Sequence, residues 1–146
     1  MNGHEVKTLT VPSDPDDPSI LERVDAFTVD ITKDLPFTDD ERDNIAISVS
    51  EAVNNAIIHG NDGNPSLQIT IDFKIEQECL HISVTDQGDG FNPAEVPDPT
   101  DPENLLAESG RGLLIIRHLM DEVELTNGEN GGTRVVMSKA FKPSRV

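Results

Sequence analysis

Apolar residues recur along this chain at two different periods, and the points where the period changes mark its elements. Ile20, Val24, Phe27 and Ile31 stand at helical intervals between a turn-rich Ser13-Asp-Pro-Asp-Asp-Pro18 linker and Pro36, which predicts a first helix over roughly 19–34. Ser19 and Glu22 have the spacing of a capping box at its start. Thr38 and Glu41 repeat that spacing, Asp39 and Asp40 put negative charge where a helix dipole favours it, and Ile45, Val49, Ala52, Val53, Ala56 and Ile57 form the apolar stripe of a second helix that stops at Gly60. The period then shortens. Leu67, Ile69, Ile71 and Phe73 alternate with Gln68, Thr70 and Asp72, and Leu80, Ile82 and Val84 alternate with His81, Ser83 and Thr85. These are half-buried strands, predicted to be antiparallel neighbours joined through Glu76-Gln77-Glu78. Looser alternation around Leu9 and Val11 predicts a strand over 5–11. Leu113 to Met120 reads as a helix, and Glu122–Thr126 and Thr133–Phe141 as two strands joined by Asn127-Gly-Glu-Asn-Gly-Gly132.

Between Phe91 and Ser109 neither period survives, and Pro93, Pro97, Pro99 and Pro102 stand among acidic residues. A patternless stretch of this length inside a small domain is expected to be a lid or binding loop. The 146 residues are enough for a single core, so one domain is expected over 1–146, with the lid at about 92–109.

Eleven Lys and Arg against 28 Asp and Glu leave a formal charge of −17, a balance that repels phosphate backbones and anionic headgroups alike. Direct nucleic-acid or membrane partners are therefore not expected, and the acidity fits either plain solubility or a partner with a basic surface. The absence of Trp and Tyr removes the usual platforms for stacking bases. No apolar run reaches the roughly 20 residues of a bilayer span and no signal pattern opens the chain, so a cytoplasmic protein is expected. Cys79 is the only cysteine and sits in a strand pattern, the context of a structural thiol. His4, His59, His81 and His118 lack metal-ligand spacing.

Three segments carry residues that a core does not need. On the second helix, Asn44, Ser48, Glu51 and Asn55 form a polar stripe beside the apolar one. A carboxylate and a carboxamide one turn apart could together hold a divalent cation and handle a proton, or Glu51 could be an exposed helix carboxylate. Asp86-Gln-Gly88-Asp-Gly90-Phe91 follows a strand directly. A carboxylate at the end of a buried strand needs a donor, which the exocyclic amine of adenine would supply, although a bond to its own loop would serve too. No helix pattern follows, which excludes a dinucleotide fingerprint. Ser109-Gly110-Arg111-Gly112-Leu113 leads into the third helix, where free N–H groups beside glycines suit an anion such as a triphosphate. Arg111 could add charge there or face solvent. No P-loop and no eukaryotic protein-kinase signature is present.

Glu51-x-x-x-Asn55, Asp86-x-Gly88-x-Gly90 and Gly110-x-Gly112-Leu113, in that order, resemble the three boxes of the ATP-binding fold shared by DNA gyrase, histidine kinases and anti-sigma factor serine kinases. Within that superfamily the chain most resembles the anti-sigma factor serine/threonine kinases, the RsbW-like group, from about residue 5 to about 140. The resemblance implies an α/β (α+β) two-layer sandwich of Bergerat type, in which helices cover one face of a mixed, mostly antiparallel sheet. It also implies ATP and Mg²⁺ as ligands, with Asn55 on the metal, Glu51 as catalytic base, and Asp86 on the adenine amine. Gly88 and Gly90 would give the base room, and Gly110, Arg111, Gly112 and Leu113 would lie along the phosphates. Thr133 would support the base through water. Implied partners are a sigma factor, a STAS-type anti-sigma factor antagonist as phosphate acceptor, and a second copy of the chain in a homodimer. Glu108 stands where histidine kinases have a further glycine, and no phosphoacceptor helix pair fits in the chain, which argues against autophosphorylation on histidine. Two other readings keep the fold: a non-catalytic nucleotide-binding partner-switching module, and an ATPase without a protein substrate.

Overall fold

The computed structural model describes residues 6–88, 108–128 and 131–141, with the backbone alone for 108–111. In chain order these form β1 (Val6–Pro12), α1 (Ser19–Thr32), α2 (Asp39–Asn55), a π-helical turn (Ala56–Gly60), β2 (Gln68–Glu76), β3 (Cys79–Thr85), α3 (Glu108–Leu119), β4 (Glu122–Asn127) and β5 (Thr133–Ala140). The strands make one sheet in the order β1-β2-β3-β5-β4. All four pairings are antiparallel, so the expected mostly antiparallel sheet has no parallel pair among the described residues.

Register explains why, among the described residues, helices cover one face of this sheet. Leu9, Ile71, Val84, Val135 and Leu125 lie opposite one another across all five strands, as do Phe73, Ile82, Met137 and Val123 across four. One residue away, Thr10, Thr70, Thr85, Arg134 and Thr126 form an equally continuous polar row. Because side chains alternate along a strand, the apolar rows share one face, and a slip of one residue would expose them all. That face packs on Ile20, Val24 and Ile31 of α1, Ile45, Val49, Ala52 and Val53 of α2, Ile116 of α3, and Met120 just past its end. Each large side chain buried there contributes about 1.5–3 kcal/mol. The middle helix α2 touches both α1 and α3.

Element ends follow local chemistry, with three departures from expectation. At α2 the capping box forms as the spacing predicts: Glu41 N–H donates to Thr38 Oγ1 at 3.1 Å and Thr38 N–H to Glu41 Oε1 at 2.8 Å. At α1 it does not. Pro18 is the N-cap, with φ −69° and ψ −16°, and no side chain caps it. Proline presets helical φ one residue early, so Ser19 is already inside the helix and its hydroxyl and N–H both donate to Asp17 Oδ1, at 2.6 and 2.9 Å. The β2–β3 turn is two residues, Gln77 and Glu78, both left-handed at φ 53° and 61°, the geometry that matches strand twist although neither is Gly or Asn. Finally, α3 starts at Glu108, earlier than Leu113, so the expected lid at 92–109 loses its last two residues to the helix and its remainder lies outside the described residues.

The far end of α3 is anchored by β5. Lys139, 9% exposed, donates from Nζ to Leu119 O at 2.7 Å, a cation placed on the carbonyl end of the helix dipole. Asp121 ties the following turn to the same strand, accepting from Ala140 N–H at 2.8 Å.

Candidate functional site

The carboxyl end of α2 is where the separate sequence segments meet. Asn55 closes the α-helix, half-buried, with Glu51 one turn earlier on the same stripe. The backbone then widens into the π-turn, and Asn61 N–H reaches back five residues to Ala56 O at 2.8 Å. Such turns concentrate at functional sites.

Two close approaches define the site. In the first, α3 comes so near α2 that a Cβ on Gly112 would stand 2.3 Å from Asn55 Nδ2. Any side chain there would push the Asn55 carboxamide aside. In the second, Asp86, 6% exposed, is wrapped by backbone. Its Oδ1 accepts from Gly88 N–H at 3.0 Å and Thr133 N–H at 2.9 Å, while its own N–H donates to Thr133 O at 3.0 Å. A Cβ on Gly60 would lie 2.0 Å from Asp86 Oδ2, one on Gly88 1.9 Å from Gly60 O, and one on Gly132 2.0 Å from Asp86 O. Three glycines thus press three chain segments around one carboxylate. With Oδ1 shared between two backbone donors, Oδ2 is turned toward the α2 terminus.

The structure therefore brings Asn55 to Gly112, and Asp86 to Gly88 and Thr133, and the π-turn links the two groups. Glu51 shares the stripe of Asn55. Gly90 lies outside the described residues, as does the side chain of Arg111. Two expectations are corrected. Gly110 and Gly112 do not precede the helix but are its third and fifth residues, so the four free N–H groups are those of 108–111, and Gly112 packs closely against Asn55. Leu113 is half-buried within the same helix. The second concerns the β4–β5 connection, where the sequence favours hairpin glycines over contacts. Gly131, at φ 95° in open space, is a turn glycine, whereas Gly132 is a contact to Asp86.

Sequence reasoning missed Gly60 as a neighbour of Asp86, and it missed Asn61 and Gln87 altogether. The only signal was that a polar Asn directly follows the helix stop. A separate pocket of about 270 Å³ borders Asp86 on the open sheet face, lined also by Thr70, Asp72, Thr85 and Arg134; it includes neither Glu51 nor Asn55.

Asn55 would hold a divalent metal through its carboxamide oxygen, and such an ion would supply positive charge at this end of the helix. The carboxamide of Asn55 offers a hard oxygen ligand, with Nδ2 and not Oδ1 nearest Gly112, and among the described residues no cluster of three or more His, Cys, Asp or Glu could hold a metal unaided. Magnesium characteristically takes one or two protein ligands plus phosphates and waters. No helix among the described residues is long and apolar enough to cross a membrane.

Comparison with known proteins gives the family. Residues 15–139 match the family described as histidine kinase-like ATPase domain. An anti-sigma F factor of Bacillus cytotoxicus is 41% identical over 111 residues, 73% of this chain and 75% of that protein. One from Geobacillus stearothermophilus is 41% identical over 108 residues, 71% of this chain and 73% of its own. Among solved structures, the RsbU and RsbW domains of a Mycobacterium tuberculosis protein superpose at TM-score 0.63 and 18% identity, covering 97% of this chain but only 34% of that one. The catalytic domain of histidine kinase ThkA superposes at 0.60 and 15% identity, covering 94% of this chain and 99% of its own. The chain belongs to the histidine kinase-like ATPase domain family, in its RsbW-like anti-sigma factor group.

Proposed function

We propose that this protein is an anti-sigma factor that uses ATP to phosphorylate a serine or threonine of a small STAS-type antagonist protein, and that it holds a sigma factor when that antagonist is absent. The family membership supports an ATP-using protein with a sigma-factor partner. One observation carries the site reading: Asn55 lies against Gly112 while Asp86 is fixed by two backbone donors within reach of the same helix end. A homodimer working in the cytoplasm is part of the proposal.

Each residue has a part that its position allows. Asp86 accepts the exocyclic amine of adenine on Oδ2, and Thr133 holds that carboxylate through its backbone. Asn55 offers its carboxamide oxygen to Mg²⁺, which when bound neutralises charge on the phosphates. Glu51, one turn before Asn55, takes the proton from the acceptor hydroxyl. The free N–H groups of 108–111 face developing negative charge at the start of α3. Little covalent chemistry falls to the protein, because positioning and electrostatics dominate phosphoryl transfer.

The test is transfer of labelled γ-phosphate to antagonist proteins captured with the chain from its own cell. A Glu51→Ala variant is expected to lose about 10²–10⁴-fold in transfer rate while keeping ATP affinity. Undiminished transfer removes Glu51 as the base. Release of phosphate to water, with none on a protein hydroxyl, makes the chain an ATPase instead.

A further inference from the structure

Asn61 is 2% exposed and stands immediately after the π-turn, with every polar atom of its carboxamide facing a partner. Nδ2 donates to Ser13 Oγ and to Gln68 O, the latter at 3.0 Å, and Oδ1 accepts from Gln87 N–H at 2.7 Å. The amide orientation is unambiguous, since a carbonyl oxygen can only accept and a backbone N–H can only donate. Its own N–H is tied to Ala56 O. One side chain thus joins the exit of β1, the entry of β2, the end of α2 and the loop after β3. Gln87 closes the ring from the other side, its Oε1 accepting from Gln68 N–H at 2.7 Å.

The bond to Gln87 matters most, because that N–H belongs to the peptide that begins at the carbonyl of Asp86. Its plane sets how Asp86 leaves β3, and so where the carboxylate points. The same dipeptide that carries Asn61 also supplies Gly60, against which Asp86 Oδ2 is packed. The Gly60-Asn61 pair is therefore a die pressed onto Asp86-Gln87-Gly88: glycine leaves room for the carboxylate, and asparagine pins the peptide behind it. Buried carboxamides that satisfy all their bonds specify one geometry, whereas a half-satisfied network is costly.

We propose that Asn61 is a positioning residue that sets the base selectivity of the site, holding Asp86 so that it accepts an adenine N6 amine and rejects a guanine O6 carbonyl. This rests on the reading of Asp86 as the adenine contact. Adenine presents a donor where guanine presents an acceptor, so a fixed carboxylate attracts one and repels the other, while a carboxylate free to swing aside does neither well.

The experiment is calorimetric titration of the full chain with MgATP and with MgGTP. Wild type is expected to bind ATP more tightly, and Asn61→Ala to reduce that ratio about tenfold, the worth of one well-placed hydrogen bond to an acceptor. Ser13→Ala removes another partner of the same carboxamide but leaves the Gln87 bond, and is expected to keep the wild-type ratio. A merely structural Asn61 would lower the melting temperature and leave the ratio unchanged; that result overturns the proposal while leaving Asp86 in place. Equal binding of both nucleotides by wild type overturns the Asp86 reading and this one with it. If Asn61→Ala does not fold, amide exchange in wild type decides: the Gln87 amide is expected to be protected, and further protected by ATP but not GTP, and exchange at the rate of an open loop overturns the proposal.

Discussion

Gly112→Ala separates the stability of α3 from its service to the site. A Cβ at 112 would stand 2.3 Å from Asn55 Nδ2, 3.2 Å from Cγ and 3.3 Å from Oδ1. Carbon contacts settle near 3.5–4.0 Å, so the carboxamide must retreat by roughly 1 Å. The group that yields is the head of a flexible side chain and not backbone, so the fold can absorb the change. Residue 112 is also an interior position of α3, where alanine is favoured over glycine by about 0.8–1.0 kcal/mol. The ligand-free variant should therefore melt no lower than wild type and up to about 3 °C higher. Nucleotide binding should move the other way. At a concentration 100 times Kd, MgATP stabilises the wild type by about 2.7 kcal/mol; a tenfold loss of affinity from a displaced metal ligand cuts this to about 1.4 kcal/mol. A thermal melt with and without MgATP reads both effects at once. The expected result is an unchanged or raised ligand-free midpoint with a ligand-induced shift about halved. Asn55→Ala should halve it likewise, and the double variant should lose little more, since both changes remove one interaction. A Gly112→Ala protein that keeps the full MgATP shift would refute the assignment of Asn55.

Three further outcomes rest on single groups. Ser48 Oγ is buried in α2 without a hydrogen-bond partner, so Ser48→Ala should stabilise the fold by about 1 kcal/mol or more, read as a higher denaturant midpoint with unchanged slope; a loss of stability would mean the hydroxyl is bonded after all. Hydrogen bonds from the Ser19 hydroxyl and then its N–H hold the Asp17 carboxyl below its usual range, so its stabilisation is present above the ordinary carboxylate pKa and is lost as pH falls through the lowered one. Ser19→Ala should move the Asp17 midpoint upward in an NMR titration, and no movement would contradict that cause. Burial first, and the nearby Asp121 and Glu122 charges with it, push the half-buried Cys79 thiol up, so iodoacetamide at mild alkaline pH should modify native protein several-fold more slowly than unfolded protein; equal rates would show the thiol to be free.

The features legible in the sequence were those decided within one turn of helix or one strand. Thr38 and Glu41 are three residues apart and form their capping box regardless of the rest of the fold. The alternation from Gln68 to Thr85 yielded the hairpin because strand period and burial share one cause. Ser19 failed on the same local scale, because the spacing to Glu22 carries no sign of the φ that Pro18 imposes. The three boxes were legible as residue types, yet their contacts were not. Thr133 reaches Asp86 across 47 residues and Asn61 reaches Gln87 across 26, and no period connects such positions.

The glycines show why the site was harder to read than the fold. Gly60 and Gly132 read as helix-stop and turn signals and Gly112 as a helix-start glycine beside an anion, since glycine does that work in many chains. None of the three has a positive φ, while each would drive a Cβ to within 2.0–2.3 Å of Asp86 or Asn55. Their absence of a side chain serves the partner and not their own backbone. A glycine kept for its neighbour leaves no trace in the local pattern; it becomes visible only when the opposing surface is known. The same holds for the π-turn, where Asn61 N–H bonds to Ala56 and the helix gains a residue per turn as Gly60 docks under Asp86. Helical periodicity carries the stripe correctly as far as Ile57 and then misplaces the residues beyond it. Gly60 and Asn61, which orient Asp86, lie just past that point.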